Sequence, residues 1–123
     1  MGSRHGVGSF QIFQIAYNES HVYERARLLR QNGYRVQSVI GNEAAKAMLT
    51  SRPHYDVFVI GFDASEKTRL EMVQWLHENY PEQRIVALSP TGHQKVAGLN
   101  FNASTEDPDE WLPIVERAAL SHR

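Results

Sequence analysis

Apolar residues in this chain fall in short runs that alternate with segments of helical periodicity. The most informative run is Val57–Ile60, four consecutive apolar residues bounded by Asp56 and Gly61. The run is too short for a helix core and is rich in β-branched side chains. Its continuous apolarity predicts a strand that is covered on both faces, as in the centre of a parallel sheet. In such sheets, ligands and chemistry collect at the carboxyl ends of the strands.

Four further strands are predicted from runs of aromatic and β-branched residues. They span residues 10–16, 34–40, 84–88 and, as a shorter strand, 99–102. Helical periodicity predicts four helices, at residues 21–32, 43–51, 66–79 and 108–120, with Ser20, Asn42, Ser65 and Asp107 as N-caps. Strands that alternate with helices imply right-handed crossovers and a parallel sheet covered on both faces.

The spacing of apolar residues predicts which face of each helix is buried. The predicted inward residues are Val22, Ala26 and Leu29 in the first helix, Ala44, Ala47 and Met48 in the second, Leu70, Val73 and Leu76 in the third, with Trp75 close by, and Leu112, Val115 and Ala119 in the fourth.

The connection between the fourth and fifth strands is short. Only residues 90–98 separate Ser89 from the fifth predicted strand, and Pro90-Thr91-Gly92 opens this segment. An average helix takes roughly 11 residues before its loops are counted. We therefore expect the helix at this crossover to be shortened or missing, which would expose one flank of the fourth and fifth strands.

Composition excludes several classes of function. The chain has 123 residues and a formal net charge of −1, whereas a nucleic-acid surface normally shows a basic excess. The absence of cysteine excludes disulfides and thiolate chemistry and is compatible with the cytoplasm. No apolar run is long enough to span a membrane. We expect one cytoplasmic domain at residues 10–123, preceded by a disordered or cloning-derived leader at residues 1–9.

Several local strings, in their order and spacing, resemble the receiver domain of bacterial two-component response regulators. They are Ile15-Ala16-Tyr17-Asn18-Glu19, Asn32-Gly33-Tyr34-Arg35-Val36, Asn42-Glu43-Ala44-Ala45, residues 52–60 and residues 107–112. The resemblance covers about residues 10–120, nearly the whole chain. It implies a flavodoxin-like α/β fold, a doubly wound sheet of five parallel strands in the order 2-1-3-4-5, and a role in signal transduction.

The resemblance places the family's phosphorylation chemistry at five positions, and four of them carry other residue types. Gly61 stands where the phosphoacceptor aspartate is expected, and Tyr17 and Asn18 stand where two acids hold magnesium. Ser104 stands near the position of the lysine that pairs with the phosphoryl group, and only the switch hydroxyl is kept, as Ser89. Magnesium prefers carboxylate oxygens, and glycine has no side chain to phosphorylate. The resemblance therefore implies a degenerate receiver, or pseudo-receiver, with neither metal nor cofactor.

A degenerate receiver is expected to bind proteins rather than to catalyse a reaction, since no nucleophile–base pair is visible. The expected partner is another protein, a second copy of the chain, or an output domain in the same or another chain, and neither nucleic acid nor membrane. The expected contact surface is the flank of the fourth and fifth strands together with the last helix, including Trp111, Val115 and Arg117. An exposed tryptophan there would anchor a partner, whereas the alternative is ordinary packing of the helix on the sheet.

Two alternatives remain open. One is a small-ligand sensor that uses the crevice around Tyr17, Gly61 and Ser89. The other is an atypical phosphoacceptor at Asp63, although a solvated loop aspartate is the simpler interpretation. Gly61 itself is interpreted as making room for the ring of Tyr17.

The remaining charged residues are interpreted as surface residues. The six histidines show neither His-x₃-His spacing nor carboxylate pairing at metal-ligand spacing; they are His5, His21, His54, His77, His93 and His122. The arginines of the first helix and second strand, Arg25, Arg27, Arg30 and Arg35, are interpreted as a loose basic cluster on a solvated face.

Overall fold

A computed structural model of the chain describes residues 10–82, 84–89, 101–103 and 107–121. The strands are β1 (Gln11–Ala16), β2 (Arg35–Ile40), β3 (Val57–Ile60), β4 (Arg84–Leu88) and β5 (Phe101–Ala103). The helices are α1 (Glu19–Gln31), α2 (Asn42–Leu49), α3 (Glu66–Asn79) and α4 (Pro108–Leu120). Each of these elements overlaps one that the sequence predicts.

The five strands form one parallel sheet in the order β2-β1-β3-β4-β5. The central strand β3 places Ile60 opposite Ile15 of β1 and opposite Ala87 of β4. All four residues of β3 are fully buried. The predicted doubly wound fold and its strand order are confirmed, and the continuous apolar run follows from the cover on both faces.

Two separate core clusters cover the two faces of the sheet. On one face α2 and α3 pack against the strands, with Leu49 and Leu76 beside the T-shaped ring pair Phe13–Phe58. On the other face lie α1 and α4, whose buried residues include Leu29 and Trp111. The carboxyl edge of the sheet therefore lies between two distinct pairs of helices.

Two of the predicted N-caps are wrong. Helix α1 begins earlier than expected because the Asn18 side chain accepts a hydrogen bond from the backbone N–H of Ser20 at 2.7 Å. Helix α2 has Gly41 at its N-cap position, where no side chain makes a cap hydrogen bond, and Asn42 is its first residue. In α1 the outcome depended on which of two neighbouring polar residues, Asn18 or Ser20, accepts from the backbone, whereas in α2 the side chain of Asn42 bonds to Thr68 instead.

The predicted caps of the other two helices are confirmed. The Ser65 hydroxyl accepts from the backbone N–H of Thr68 at 3.1 Å at the start of α3. The Asp107 carboxylate accepts from the backbone N–H of Asp109 at 2.9 Å, and Pro108 is the first residue of α4. Proline suits that position because its missing N–H would have no partner inside the helix.

The predicted buried stripes hold for α1, α3 and α4 but not for α2. Among the predicted residues, those that are buried are Val22, Ala26, Leu29, Val73, Leu76, Val115 and Ala119, while Leu70 and Leu112 are partly buried. In α2 the inward residues are Ala45 and Leu49, whereas Ala44, Ala47 and Met48 are exposed. This eight-residue helix has five alanine, methionine or leucine residues, so the sequence gives it no single preferred face, and the surface it packs on decides which residues are buried.

The strand bounds leave residues 89–100 for the crossover between β4 and β5, which is consistent with the predicted shortening of its helix. Residues 90–100 themselves lie outside the described residues, as do the predicted leader at residues 1–9 and Ser104. Within the described part of the chain, no helix has the length and apolarity needed to cross a membrane.

Candidate functional site

The candidate site lies at the carboxyl edge of the sheet, where β1, β3 and β4 end side by side. The residues that follow these strands are Tyr17, Gly61 and Ser89, so the structure brings together three of the five positions that the resemblance singled out. Asn18 follows Tyr17 directly but is exposed and caps α1. Ser104 cannot be placed, since it lies outside the described residues.

A buried arginine fills the space that a side chain at position 61 would need. A Cβ at Gly61 would lie 2.6 Å from Nη1 and 3.6 Å from Cζ of Arg25. Arg25 is only 6% exposed, and its guanidinium carbon lies 4.8 Å from the centre of the Phe62 ring. Two sequence-based interpretations are therefore wrong: Arg25 is not part of a solvated face, and Gly61 makes room for Arg25 rather than for the ring of Tyr17.

Tyr17 joins three elements through one hydrogen-bond chain. Its hydroxyl donates to Oδ1 of Asn42 at 2.6 Å, and Nδ2 of Asn42 donates to the carbonyl of Thr68 at 2.9 Å. Burial raises the pKa of Tyr17 to about 12, although the nearby Arg69 guanidinium acts in the opposite direction. Tyr17 is therefore a neutral hydrogen-bond donor at physiological pH, and Asn42 links elements instead of capping a helix.

A second buried arginine, Arg69 of α3, lies beside Ser89. Its Nη2 donates to the carbonyl of Leu88 and lies 3.4 Å from the hydroxyl of Ser89. Burial lowers the pKa of Arg69, while Tyr17 and Glu66 raise it. The backbone N–H of Ser89 donates to the carbonyl of Ala103 at 2.8 Å, so this serine also ties β4 to β5.

Sequence reasoning missed both arginines as site residues, although their spacing carried a signal. Each one occupies a position of its helix's apolar stripe. In α1 the buried residues are Val22, Arg25, Ala26 and Leu29, and in α3 they are Arg69, Met72, Val73 and Leu76. Both sets follow the i, i+3, i+4, i+7 pattern of one helix face. An arginine at a position of the apolar stripe is expected to be buried with its helix face. Because charged residues are almost never buried unless they are paired, such an arginine is a candidate site residue.

The residues at this edge do not fit a magnesium ion. The Tyr17 hydroxyl is bonded to Asn42, and the Asn18 side-chain oxygen accepts the cap hydrogen bonds of α1. The guanidinium groups of Arg25 and Arg69 add positive charge where a cation would need carboxylates. Residues 10–82, 84–89, 101–103 and 107–121 also contain no group of three or more His, Asp or Glu side chains placed to hold a metal.

Asp63, the alternative phosphoacceptor, is paired with a histidine. Its Oδ2 lies 2.5 Å from Nδ1 of His21, and the His21 ring lies 5.1 Å from the ring of Phe62. His54 is likewise paired with Asp56, at 2.9 Å, on the opposite edge of the sheet. His21 and Asp63 are 42 positions apart and His54 and Asp56 are 2 apart, and neither pair belongs to a metal-ligand group among the described residues.

A cavity of about 220 Å³ opens beside Arg25, between α1 and α4. Its walls include Arg25 and Leu28 of α1, Phe62 after β3, Leu88 of β4 and Trp111 of α4. The predicted ligand crevice around Tyr17, Gly61 and Ser89 is not this cavity, since none of those three residues lines it. Arg25 lines this cavity and also lies against Gly61.

The predicted interaction face on the last helix is largely internal. Trp111 is 3% exposed and Val115 is fully buried, and both belong to the core cluster under α4. Of the three predicted contact residues only Arg117 is exposed. The exposed-tryptophan anchor is therefore wrong, because Trp111 faces the sheet and lines the cavity instead.

No family model and no curated protein matches the sequence, but solved structures match the fold. The response regulator TrrA from Thermotoga maritima, in complex with Mg²⁺ and BeF, superposes with a TM-score of 0.77 at 15% identity, covering 89% of this chain and 98% of that one. A putative pilus assembly-related protein from Burkholderia pseudomallei gives 0.77 at 20% identity, with coverage of 94% and 93%. The chemotaxis response regulator CheY4 of Vibrio cholerae gives 0.73 at 17% identity, with coverage of 89% and 98%. The chain therefore has the receiver-domain fold that the resemblance implied.

Proposed function

We propose that this domain, which has the receiver fold, is a phosphorylation-independent regulatory module of a bacterial signalling protein. It acts in the cytoplasm by binding another protein, a second copy of itself or an output domain, and it is not an enzyme. The observation that supports this most directly is the contact between Arg25 and Gly61. The position that would carry the phosphoacceptor has no side chain, and a guanidinium occupies the space beside it.

Phosphoryl transfer to a receiver needs a carboxylate nucleophile and a cation that neutralises the phosphoryl oxygens. This edge of the sheet carries two guanidinium groups, of Arg25 and Arg69, and both are buried. It lacks the carboxylates at positions 17, 18 and 61 that would accept the phosphoryl group and hold magnesium. Without a carboxylate to phosphorylate, this edge has no means of switching between a phosphorylated and an unphosphorylated conformation. The two buried guanidinium groups therefore support a site that keeps one conformation.

Asp63 has no acceptor role in this proposal. Its Oδ2 is paired with His21, and the side chain lies in the loop after β3 and not at the strand end. Magnesium at this acid would need further carboxylate ligands, which Tyr17 and Asn18 do not supply.

The proposed contact surface is the outer face of α4. Pro113, Glu116, Arg117 and Leu120 are spaced so that they share one side of the helix, and the Leu120 side chain is 52% exposed. The inner side of α4 packs on β4 and β5. A partner bound to the outer face would therefore have a fixed orientation relative to the sheet. Neither nucleic acid nor a membrane surface is among the proposed partners.

The phosphorylation-independent part is tested by adding Mg²⁺ and beryllofluoride to the ¹⁵N-labelled chain and recording its amide spectrum. TrrA from Thermotoga maritima, solved with Mg²⁺ and BeF, serves as the positive control. We expect amide shifts in TrrA and none beyond ionic-strength effects in this chain. Widespread saturable shifts in this chain would overturn the proposal, and shifts centred on Asp63 would identify the alternative phosphoacceptor.

Self-association is tested by light scattering during gel filtration. A dimeric mass that becomes monomeric in Leu120→Glu would support contact through the outer face of α4. Tyr23→Glu is the matched control, because Tyr23 is a similarly exposed apolar residue on α1, 70% accessible. A monomeric mass at every concentration would reject self-association and leave a different protein as the partner. Loss of the dimer in Tyr23→Glu alone would move the interface to α1.

A further inference from the structure

We propose that the outer edge of β2 is a second protein-binding surface, which takes an extended segment of another protein as an added antiparallel strand. The segment carries an apolar side chain and, four residues later, an acidic one. This inference goes beyond the proposed function, whose contact surface is the outer face of α4. It rests on the outward backbone groups of β2, on an apolar patch at its carboxyl end and on two arginines at its amino end.

β2 is an outer strand of the sheet, and every second residue turns its backbone away from β1. The N–H groups of Arg35 and Gly41 donate toward β1. Because the backbone alternates along a strand, the N–H and C=O groups of Val36, Ser38 and Ile40 point outward. Outer strands accept added strands unless proline, bulges or charges blunt them. β2 has no proline, and its one charge is Arg35 at its first position.

Side chains cover this edge only in part. Nη2 of Arg30 donates to the Val36 carbonyl at 3.0 Å, and Nε2 of Gln37 lies 3.4 Å from the Ser38 carbonyl. The first contact leaves room for an added strand, since a carbonyl oxygen accepts two hydrogen bonds. The second is long for a hydrogen bond, so little is lost when an added strand replaces it. The outward groups are therefore available for pairing.

The carboxyl end of this edge is apolar. Val39 belongs to the core under α2 and α3, so Ile40 faces the α1 side, where it is 43% exposed. Tyr23, which is 70% exposed, lies two turns before Arg30, about 10 Å along a helix that runs opposite to β2. Since Arg30 contacts Val36, this spacing brings Tyr23 to the level of Ile40, about 13 Å from Val36 along β2. An apolar side chain opposite Ile40 would pack against both residues.

The amino end of the edge is positively charged. Arg30 and Arg35 are exposed there, and neither forms an ion pair with another described residue. Glu24 does not offset them, because its carboxylate already accepts from Arg27 through both oxygens at 3.0 Å. Glu19, the first residue of α1, lies at the opposite end. An acidic side chain of the partner is therefore favoured only beside the arginines.

These features fit a different protein better than a second copy of this chain. Two β2 strands paired antiparallel would set the arginines of each against the apolar end of the other, and β2 carries no acid to meet them. A segment with an apolar residue opposite Ile40 and an acid opposite Val36 satisfies both ends, because both side chains face α1. Antiparallel pairing, the more stable kind, puts the apolar residue first.

The test is a titration of the ¹⁵N-labelled chain with acetyl-Thr-Leu-Thr-Val-Thr-Glu-Thr-amide, whose leucine, valine and glutamate pair with Ile40, Ser38 and Val36. We expect saturable amide shifts in β2 and at Tyr23, and slower hydrogen exchange at the N–H groups of Ser38 and Ile40. The peptide with lysine in place of glutamate should bind at least about threefold more weakly, because an exposed ion pair becomes a like-charge contact. N-methylation of the valine, which faces β2, should weaken binding at least about fivefold, and N-methylation of the next threonine, which faces solvent, much less.

Variants of exposed residues locate the surface without unfolding the chain. Arg30→Gln should reduce the preference for glutamate over lysine, whereas Arg27→Gln, whose side chain is paired with Glu24, should keep it. Tyr23→Ser should weaken binding of both peptides, whereas Leu120→Ser, at an exposed apolar residue of α4, should not.

Four results would overturn the proposal. The first is the absence of saturable shifts at millimolar peptide, and the second is equal affinity for the glutamate and lysine peptides. The third is an equal loss from the two N-methylated peptides, since the backbone would then not pair. The fourth is a dimer of the chain that dissociates in Tyr23→Ser and ignores the peptide, which would assign the edge to a second copy. The outer face of α4 is tested separately, through the mass of Leu120→Glu.

Discussion

Arg25 and Arg69 reach the same edge of the sheet from opposite faces, and their surroundings differ. Arg69 extends from α3, donates to the carbonyl of Leu88 and lies beside Ser89. The hydrogen-bond chain of Tyr17 lies on its side of the sheet, where that ring packs on the α2/α3 core. Arg25 extends from α1 and lies against Gly61, with a cavity beside it.

The two arginines make different contacts at the carboxyl edge of the sheet. On the α3 side, Arg69 bonds the end of β4, so its charge mainly holds a strand end in place. On the α1 side, the planar face of Arg25 contacts an aromatic ring, and the space beside it stays open. Burial of a cation costs free energy unless hydrogen bonds and opposite charges compensate it, so both guanidinium groups depend on partners at this edge.

The largest expected effect is at Trp111, which lines the cavity beside Arg25. Trp111→Ala should lower the free energy of unfolding by about 3–5 kcal/mol, because a nearly buried indole leaves a cavity that α4 cannot collapse to fill. Arg117→Ala, on the exposed side of the same helix, should change it by no more than about 0.5 kcal/mol. Urea denaturation measures both. Similar losses in the two variants would mean that α4 does not pack as described.

The next effect compares the two arginines directly. Arg69→Met should lower the free energy of unfolding by about 2 kcal/mol, because the buried carbonyl of Leu88 loses a charged donor. Arg25→Met should lower the free energy of unfolding by a similar amount, because it removes a buried guanidinium together with its contact with the Phe62 ring. A loss below about 0.5 kcal/mol in either variant, measured by the same denaturation, would contradict the burial described for that arginine.

A smaller effect is expected at the hydroxyl of Tyr17. Tyr17→Phe removes the 2.6 Å hydrogen bond to Asn42 and should lower the free energy of unfolding by about 1 kcal/mol at neutral pH. Tyr23→Phe is the control, since that side chain is exposed and should give no measurable change. Equal stability of the two variants would show that the chain from Tyr17 to Thr68 contributes nothing to the Arg69 side.

The smallest expected effect is confined to alkaline pH. The pKa of Tyr17 is about 12 in the fold against an ordinary 10.0. The unfolded chain therefore loses this proton first, and the stability that Tyr17 contributes is complete below pH 10 and is lost as pH rises toward 12. Burial also raises the pKa of Tyr55 and Tyr80, so phenolate absorbance should show a group of late-ionising tyrosines, and Tyr17→Phe should remove one phenol from that late step. A Tyr17 that ionises with the exposed tyrosines would contradict the burial described.

The α/β fold could be predicted from local patterns. The continuous apolarity of Val57–Ile60 indicated a central parallel strand, and Asp107 followed by Pro108 marked the start of α4. That position 61 offers no carboxylate could also be read from the sequence, since glycine has no side chain whatever the fold. These features depend on residue type and spacing over a few positions, and tertiary contacts did not change them.

Other features were decided only when the helices packed on the sheet. Which residues of α2 face inward, and that Trp111 is buried, depend on the surface that each helix meets. The same holds for the links Tyr17–Asn42 and His21–Asp63, which join residues far apart in sequence. Above all, two arginines from different helices are buried at one edge of the sheet, because their long side chains reach partners that only the assembled fold brings near.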